Sequence, residues 1–329
     1  MKKSGFLKYL LWSTLGAIII FIGSIITLLV YDVTKLPDVM HRVIGEFDEF
    51  TGDWWVDWEG NNEVFNSNLS FEFLSNGGDY YHKSQYSIAE GQNLVFETDV
   101  VNADVQIETT TESELTVEIY TTSPERYRIE QNTSRFLIKE KKRSQLFCLF
   151  SCERNKKAEI VVKVPTNVTQ LDVETINGDL IIQHSGNLLE AHTVNGMVSL
   201  SDSTYHEVDL ETVNGALKVL NSQVLYETSL EAVNGSILLQ QVESGNTYLQ
   251  TANGGMTLTE LKGDILDCGT VNGDFELNNI YVRDITVEKL NGSFELINED
   301  QAYEIQSLKL SGFKKNYEIQ AKVLNISYN

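Results

Sequence analysis

The dipeptide Asn-Gly recurs seven times at almost constant spacing, and that period admits few folds. It falls at Asn177-Gly178, Asn195-Gly196, Asn214-Gly215, Asn234-Gly235, Asn253-Gly254, Asn272-Gly273 and Asn291-Gly292, in steps of 18, 19, 20, 19, 19 and 19 residues. Each copy reads roughly apolar-x-apolar-x-Thr-Val-Asn-Gly-x-apolar-x-apolar, as in LDVETINGDLII (171–182) and VDLETVNGALKV (208–219). Alternation with period two marks half-buried strands. The phase slips at Asn-Gly, as it must where a chain turns a corner and its inward face is re-registered.

About nineteen residues with two or three short strands are too few for a helix-containing repeat or a propeller blade. A hairpin turn suits one copy but leaves the strict period unexplained. A coil stacked on its predecessor explains it. The chain is therefore expected to be mainly β, a right-handed parallel β-helix or β-solenoid of about 19-residue coils. Glycine would supply a positive φ at the corner, and the asparagines would stack as a ladder of side-chain hydrogen bonds. Seven or eight coils at about 4.8 Å each give roughly 35–40 Å of stack. Ser311-Gly312, twenty residues after the last Asn-Gly, reads as a degenerate eighth copy. Regular coils are expected over 166–312 with a C-terminal cap at 313–329. An irregular part, 91–165, carries LVFETDVVNADVQIE (94–108), the repeat with Ala103 for glycine, and alternating strands read as hairpins at the side or end of the stack.

The first residues differ in kind. Between Lys8 and Asp32 lie 23 residues without a charge. As a helix they would be about 34 Å long at about 1.5 Å per residue, enough to cross a bilayer. The run ends LLVYDVTK with no small-residue cleavage pattern, which favours an uncleaved anchor over a signal peptide. Lys2, Lys3 and Lys8 precede it and acidic residues follow. This puts residues 1–8 in the cytoplasm, a single transmembrane helix at 9–31 and the bulk outside the cell membrane.

Residues 32–90 form a juxtamembrane segment, acidic and aromatic. Trp54, Trp55 and Trp58 would cap the first coil or touch a partner. Leu146, Phe147, Leu149 and Phe150 crowd one hairpin tip, which either meets a partner or membrane, with Phe147 and Phe150 as candidate partner contacts, or folds back onto the solenoid core; Cys148 is close enough to Cys152 to bridge. Cys268 falls at an apolar repeat position and reads as a small core residue.

From these residues a resemblance follows. The anchor, the Val164-Pro165 entry and the serial T-[IV]-N-G-x-[LIVF]-x-[LIVF] coils resemble the bacterial putative-adhesin family of membrane-anchored envelope proteins, which includes LiaG-like proteins. The resemblance covers about residues 90–329. It implies a parallel β-solenoid at the cell surface and assigns no catalytic residue.

The net charge of −22 excludes a phosphate-binding basic face and with it nucleic acid; cationic partners are electrostatically easier. No nucleotide-binding, nucleophile-elbow or zinc-protease motif occurs. His184, His192 and His206 occupy unequal repeat positions, so no metal or other cofactor is expected. Glu174, Glu211, Glu231 and Glu288 share the position three before the asparagine, an acidic stripe broken by His192, Gln250 and Gly269. The expected function is non-catalytic: a tethered solenoid in envelope stress response or sensing, binding an envelope membrane protein or a cationic peptide. A surface adhesin is the alternative, and a glycan-active β-helix enzyme a more distant one.

Overall fold

The computed structural model describes residues 74–76, 79–88, 94–141, 157–300, 302–312 and 317–328. The chain divides into two units, Met1–Glu63 and Val64–Asn329, and all described residues lie in the second. The expected membrane helix at 9–31, Trp54, Trp55, Trp58, Phe147, Phe150, Cys148 and Cys152 fall outside the described residues. Among the described residues no helix is long and apolar enough to cross a membrane.

The described chain is nearly all strand. The first part contains β1 (Leu74–Asn76), β2 (Asp79–Ser87), β3 (Val95–Val100), β4 (Ala103–Thr110), β5 (Glu114–Thr121), β6 (Tyr127–Gln131), β7 (Arg135–Glu140) and β8 (Ala158–Pro165). The repeats contain β9 (Gln170–Thr175), β10 (Leu180–Gln183), β11 (Leu188–Asn195), β12 (Val198–Ser201), β13 (Thr204–Asn214), β14 (Leu217–Asn234), β15 (Ile237–Asn253), β16 (Met256–Asn272), β17 (Phe275–Asn278), β18 (Tyr281–Asn291) and β19 (Phe294–Ile297). Then come β20 (Glu304–Ser311), β21 (Tyr317–Gln320) and β22 (Lys322–Tyr328).

From β9 on, every rung pairs in parallel with the rung one repeat later. Interior side chains therefore line up in rows. One row runs Val173, Ala191, Leu210, Leu230, Leu249, Cys268, Val287 and Leu310, and all eight are fully buried. Cys268 is a free, buried thiol in that row, and burial pushes its pKa up. The Asn102-Ala103 rung and the seven Asn-Gly coils make eight turns of a β-solenoid.

The Asn-Gly corner works through hydrogen bonds and closeness. Asn195 Nδ2 donates to Asn177 Oδ1 at 2.8 Å, and the pattern repeats up the stack to Asn291, which donates to Asn272 at 2.9 Å. The threonine two residues earlier reaches back one coil. Thr193, Thr212 and Thr251 each donate to the glycine carbonyl of the preceding coil at 3.0 Å.

The expected reason for the glycines is corrected. Of the described glycines only Gly292 (φ 134°) and Gly312 (φ 83°) have left-handed φ. The rest of the ladder needs glycine because stacked backbones touch there: a Cβ on Gly215 would lie 1.7 Å from the Gly196 carbonyl oxygen.

Left-handed backbone is found instead at a second corner. Asp202, Asn221, Gln241, Glu260 and Asn279 all have φ between 49° and 57°. Each stands seven residues after its asparagine, so every middle coil turns there again. A third bend is a register shift, between Tyr205 and Glu207 in one coil and between Val224 and Glu227 in the next.

Ser311-Gly312 is not an eighth corner. Ser311 pairs with Glu288, three residues before the Asn291 corner. Residues inserted after Asn298 account for the shift, since the next rung resumes with Tyr317 opposite Phe294.

The irregular part also departs from sequence order. β3 pairs in parallel with β7 on one side and β9 on the other. β4 likewise lies between β8 and β10. The first parallel rung is thus β7–β8, with β3–β4 stacked above it, so β7 and β8 are rungs and not appended hairpins. Antiparallel strands close this end: β6 on β7, and β5, β2 and β1 in turn on β8.

Candidate binding face

Outward-facing residues also form rows. The row three before the asparagine runs Asp99, Glu174, His192, Glu211 and Glu231, then Gln250, Gly269 and Glu288. Beside it, two residues earlier in each strand, runs Glu97, Asp172, Glu190 and Asp209. The second row escaped sequence reading, because two rows become neighbours only when the register is known. The signal was available in the recurring acidic-x-acidic pairs: Glu97/Asp99, Asp172/Glu174 and Asp209/Glu211.

On four successive rungs, β3, β9, β11 and β13, every position of these two rows is acidic except His192. No lysine or arginine falls in them between Asp99 and Glu231. At the β7 end the field is partly neutralised, where Lys139 Nζ lies 3.2 Å from Asp99 Oδ2 and Arg135 pairs with Glu97. Adjacent strands at about 4.8 Å put the carboxylates of one row within reach of each other's fields.

The electrostatics record that crowding. Partial burial raises the pKa of Asp172, with Glu190 adding to the effect and His192 opposing it. For His192 burial pulls the pKa down, but Glu211, Asp209 and Glu174 outweigh it and the net direction is up. Its Nδ1 lies 3.1 Å from Glu211 Oε2. The histidine is the one position of this acidic field that gains positive charge near neutral pH.

The other histidines go elsewhere. His184 is buried, with Nδ1 3.1 Å from the buried Tyr205 hydroxyl, and burial pushes its pKa down to about 4. His206 packs edge-on against exposed Tyr226, ring centroids 5.5 Å apart. Among the described residues no group of three or more His, Cys, Asp or Glu is arranged to hold a metal ion.

Sequence reading also missed the base of the asparagine ladder. Asn177 Nδ2 donates to the Val101 carbonyl at 3.3 Å. Below it, fully buried Glu140 accepts from the Val101 and Asn102 amides at 2.7 and 2.9 Å. Arg126 holds the other carboxylate oxygen at 2.5 Å. Glu140 lies outside any repeat, so nothing in the sequence singled it out.

The fold defines a repetitive β-solenoid whose outward side chains stack in rows from coil to coil. The chain belongs to the Toastrack DUF4097 family, whose model matches residues 92–313. Among solved structures, a putative adhesin from Parabacteroides distasonis ATCC 8503 is similar at 12% identity and a TM-score of 0.46, over 76% of this chain and 97% of that one. A putative adhesin from Parabacteroides merdae ATCC 43184 is similar at 12% identity and 0.44, over 76% and 96%. A putative lipid binding protein from Parabacteroides distasonis ATCC 8503 is similar at 12% identity and 0.32, over 77% and 98%. No curated protein matches the chain.

Proposed function

We propose that this chain is a non-catalytic binding module of the cell envelope, and that its acidic rows take a cationic partner. The partner is a basic peptide, free or displayed by an envelope membrane protein. The observation that carries this is the pair of rows from Glu97/Asp99 to Asp209/Glu211, which concentrates negative charge on one flat face. Like charges side by side across strands are destabilising, and a basic partner relieves that repulsion while the field speeds its arrival. Residues 9–31 tether the module with its N-terminus inside and its solenoid outside. The uncharged run and the lysines before it support that placement.

The test is titration of the purified chain with a cationic antimicrobial peptide. Glu174→Gln/Glu190→Gln/Glu211→Gln is expected to weaken binding about tenfold or more and to flatten its salt dependence. Glu288→Gln, separated from the field by Gln250 and Gly269, is expected to bind like the wild type. Unchanged binding in the triple variant would discard the reading.

A further inference from the structure

The outer face that carries the acidic rows carries a third row of opposite character. In each of the seven Asn-Gly coils the residue just before the asparagine is apolar. Val194, Val213 and Val233 stand one above another, because the residues before them and the asparagines after them are in register from coil to coil. Thr193, Thr212 and Ala232 before them are buried, so alternation along the strand turns the valines outward. Val194 is 38%, Val271 37% and Leu290 44% exposed. Two residues earlier on the same face stand His192, Glu211 and Glu231, and two earlier again Glu190 and Asp209. Acidic rows and an apolar row thus run side by side up the stack. Contiguous apolar surface rimmed by charged residues marks an interaction site.

On the reading that the acidic rows take a cationic partner, we propose that the partner is an amphipathic helix, its apolar side on the valine row and its lysines or arginines over the acidic rows. Charge complementarity selects the basic side of the partner, and the same carboxylates repel an anionic membrane surface. The arrangement of the rows selects a helix. A strand laid along the stack offers the face a single line of side chains and can match only one row. A helix carries a basic stripe beside its apolar stripe and matches parallel rows of both kinds. Rows two residues apart on a strand lie about 6.6 Å from each other, so three rows span about 13 Å, close to the roughly 10–12 Å width of a helix. The acidic row from Asp99 to Glu231 covers five rungs. At about 4.8 Å per rung that is about 19 Å, or about 13 residues of helix. Beyond Glu231 the apolar row continues to Leu290, but Gln250 and Gly269 interrupt the acidic one, which limits the site to these five rungs.

The experiment uses the full chain in phosphatidylcholine nanodiscs, with empty discs as the blank. The probe is a fluorescent peptide of about 14 leucines and lysines with the leucines on one helical side. By anisotropy it is expected to bind about tenfold tighter than a peptide of the same composition scrambled to lose its apolar side. Val194→Thr/Val213→Thr/Val233→Thr keeps the branched side chains that suit a strand but makes the row polar. It is expected to weaken the amphipathic peptide about tenfold and to leave the scrambled one unchanged, which also shows that the face is still folded. Val271→Thr, beside Gly269 where the acidic row is interrupted, is expected to bind like the wild type. Equal binding of the two peptides overturns the helix and leaves the cationic partner standing, because charge alone then suffices. A triple variant that binds the amphipathic peptide like the wild type does the same. If neither peptide binds the wild type, both readings fall. In a chain with Cys148 and Cys152 replaced by serine, a Val194→Cys thiol that resists maleimide without peptide also overturns the proposal, because another part of the chain then covers the row.

Discussion

A Cβ built on Gly235 would lie 1.6 Å from the carbonyl oxygen of Gly215, one coil earlier. No rotamer relieves that clash, because the backbone alone fixes where a Cβ stands and the oxygen it meets is a backbone atom. Gly235→Ala is therefore expected to destabilise the chain by about 2 kcal/mol or more, and Gly235→Val further, by forcing two coils apart. A left-handed φ is not the cause here, so alanine should be nearly as harmful as valine. Thermal denaturation of the two variants checks this; an alanine variant as stable as wild type would mean the coils are not in contact at this corner.

The threonine ladder contains a natural gap. Ala232 stands where Thr212 and Thr251 donate to glycine carbonyls of the preceding coil. Ala232→Thr would supply the missing donor to the Gly215 carbonyl. The expected gain is about 0.5–1 kcal/mol, the net worth of one intramolecular hydrogen bond. Thr251→Val should lose about as much. Urea midpoints of both variants give the sign.

Two histidines give stability opposite dependences on pH. The folded pKa of His184, about 4, lies below its unfolded value near 6.5, so acid favours the unfolded chain. Stability should fall between pH 6.5 and 4, by roughly 3 kcal/mol from this group. The folded pKa of His192 is raised, so its contribution is complete below 6.5 and is lost as pH rises through the folded value. His184→Phe should flatten the acidic limb and His192→Gln the alkaline one. Urea midpoints across pH 4–9 would show whether each limb moves with its own residue.

Arg126 and Glu140 anchor the ladder at its base. Removing the arginine leaves a buried carboxylate that keeps its hydrogen bonds to the Val101 and Asn102 amides but has lost its counter-charge. Arg126→Met is expected to cost about 3 kcal/mol, the scale for breaking a buried pair from one side. In Arg126→Met/Glu140→Gln the charge is gone, and part of that loss should return. Chemical denaturation of the single and double variants measures the coupling.

What could be read from sequence follows from what repeats. Leu210, Leu217 and Val219 announce themselves because each recurs as an apolar residue one period away, and stacking is itself the cause of the period. The Asn195–Asn214 hydrogen bond was foreseeable for the same reason. Gly235 was recognised as required, but a sequence cannot say whether glycine serves a left-handed φ or a close approach. The second corner stayed hidden because Asp202, Asn221, Gln241, Glu260 and Asn279 share a backbone conformation without sharing a side chain. Aspartate and asparagine tolerate that conformation better than most residues, but the glutamine and glutamate blur the signal. Glu140 and the Ser311–Glu288 register depend on insertions and on strand order, to which periodicity is blind.

The placement of β3–β4 between β7–β8 and β9–β10 bears on how the chain assembles during synthesis. From β11 onward each new rung finds its template in the rung just made, so coils can add singly as the chain emerges. β3 has no such template when it appears. Its first parallel partner, β7, begins at Arg135, and its second, β9, is complete only at Thr175. Until β7 and β8 are made, β3 and β4 wait without a parallel partner on either edge, and the closing contacts span long loops, which slows their formation. This end of the solenoid must therefore fold as one cooperative block, and that block is the foundation on which the one-at-a-time growth of the coils begins.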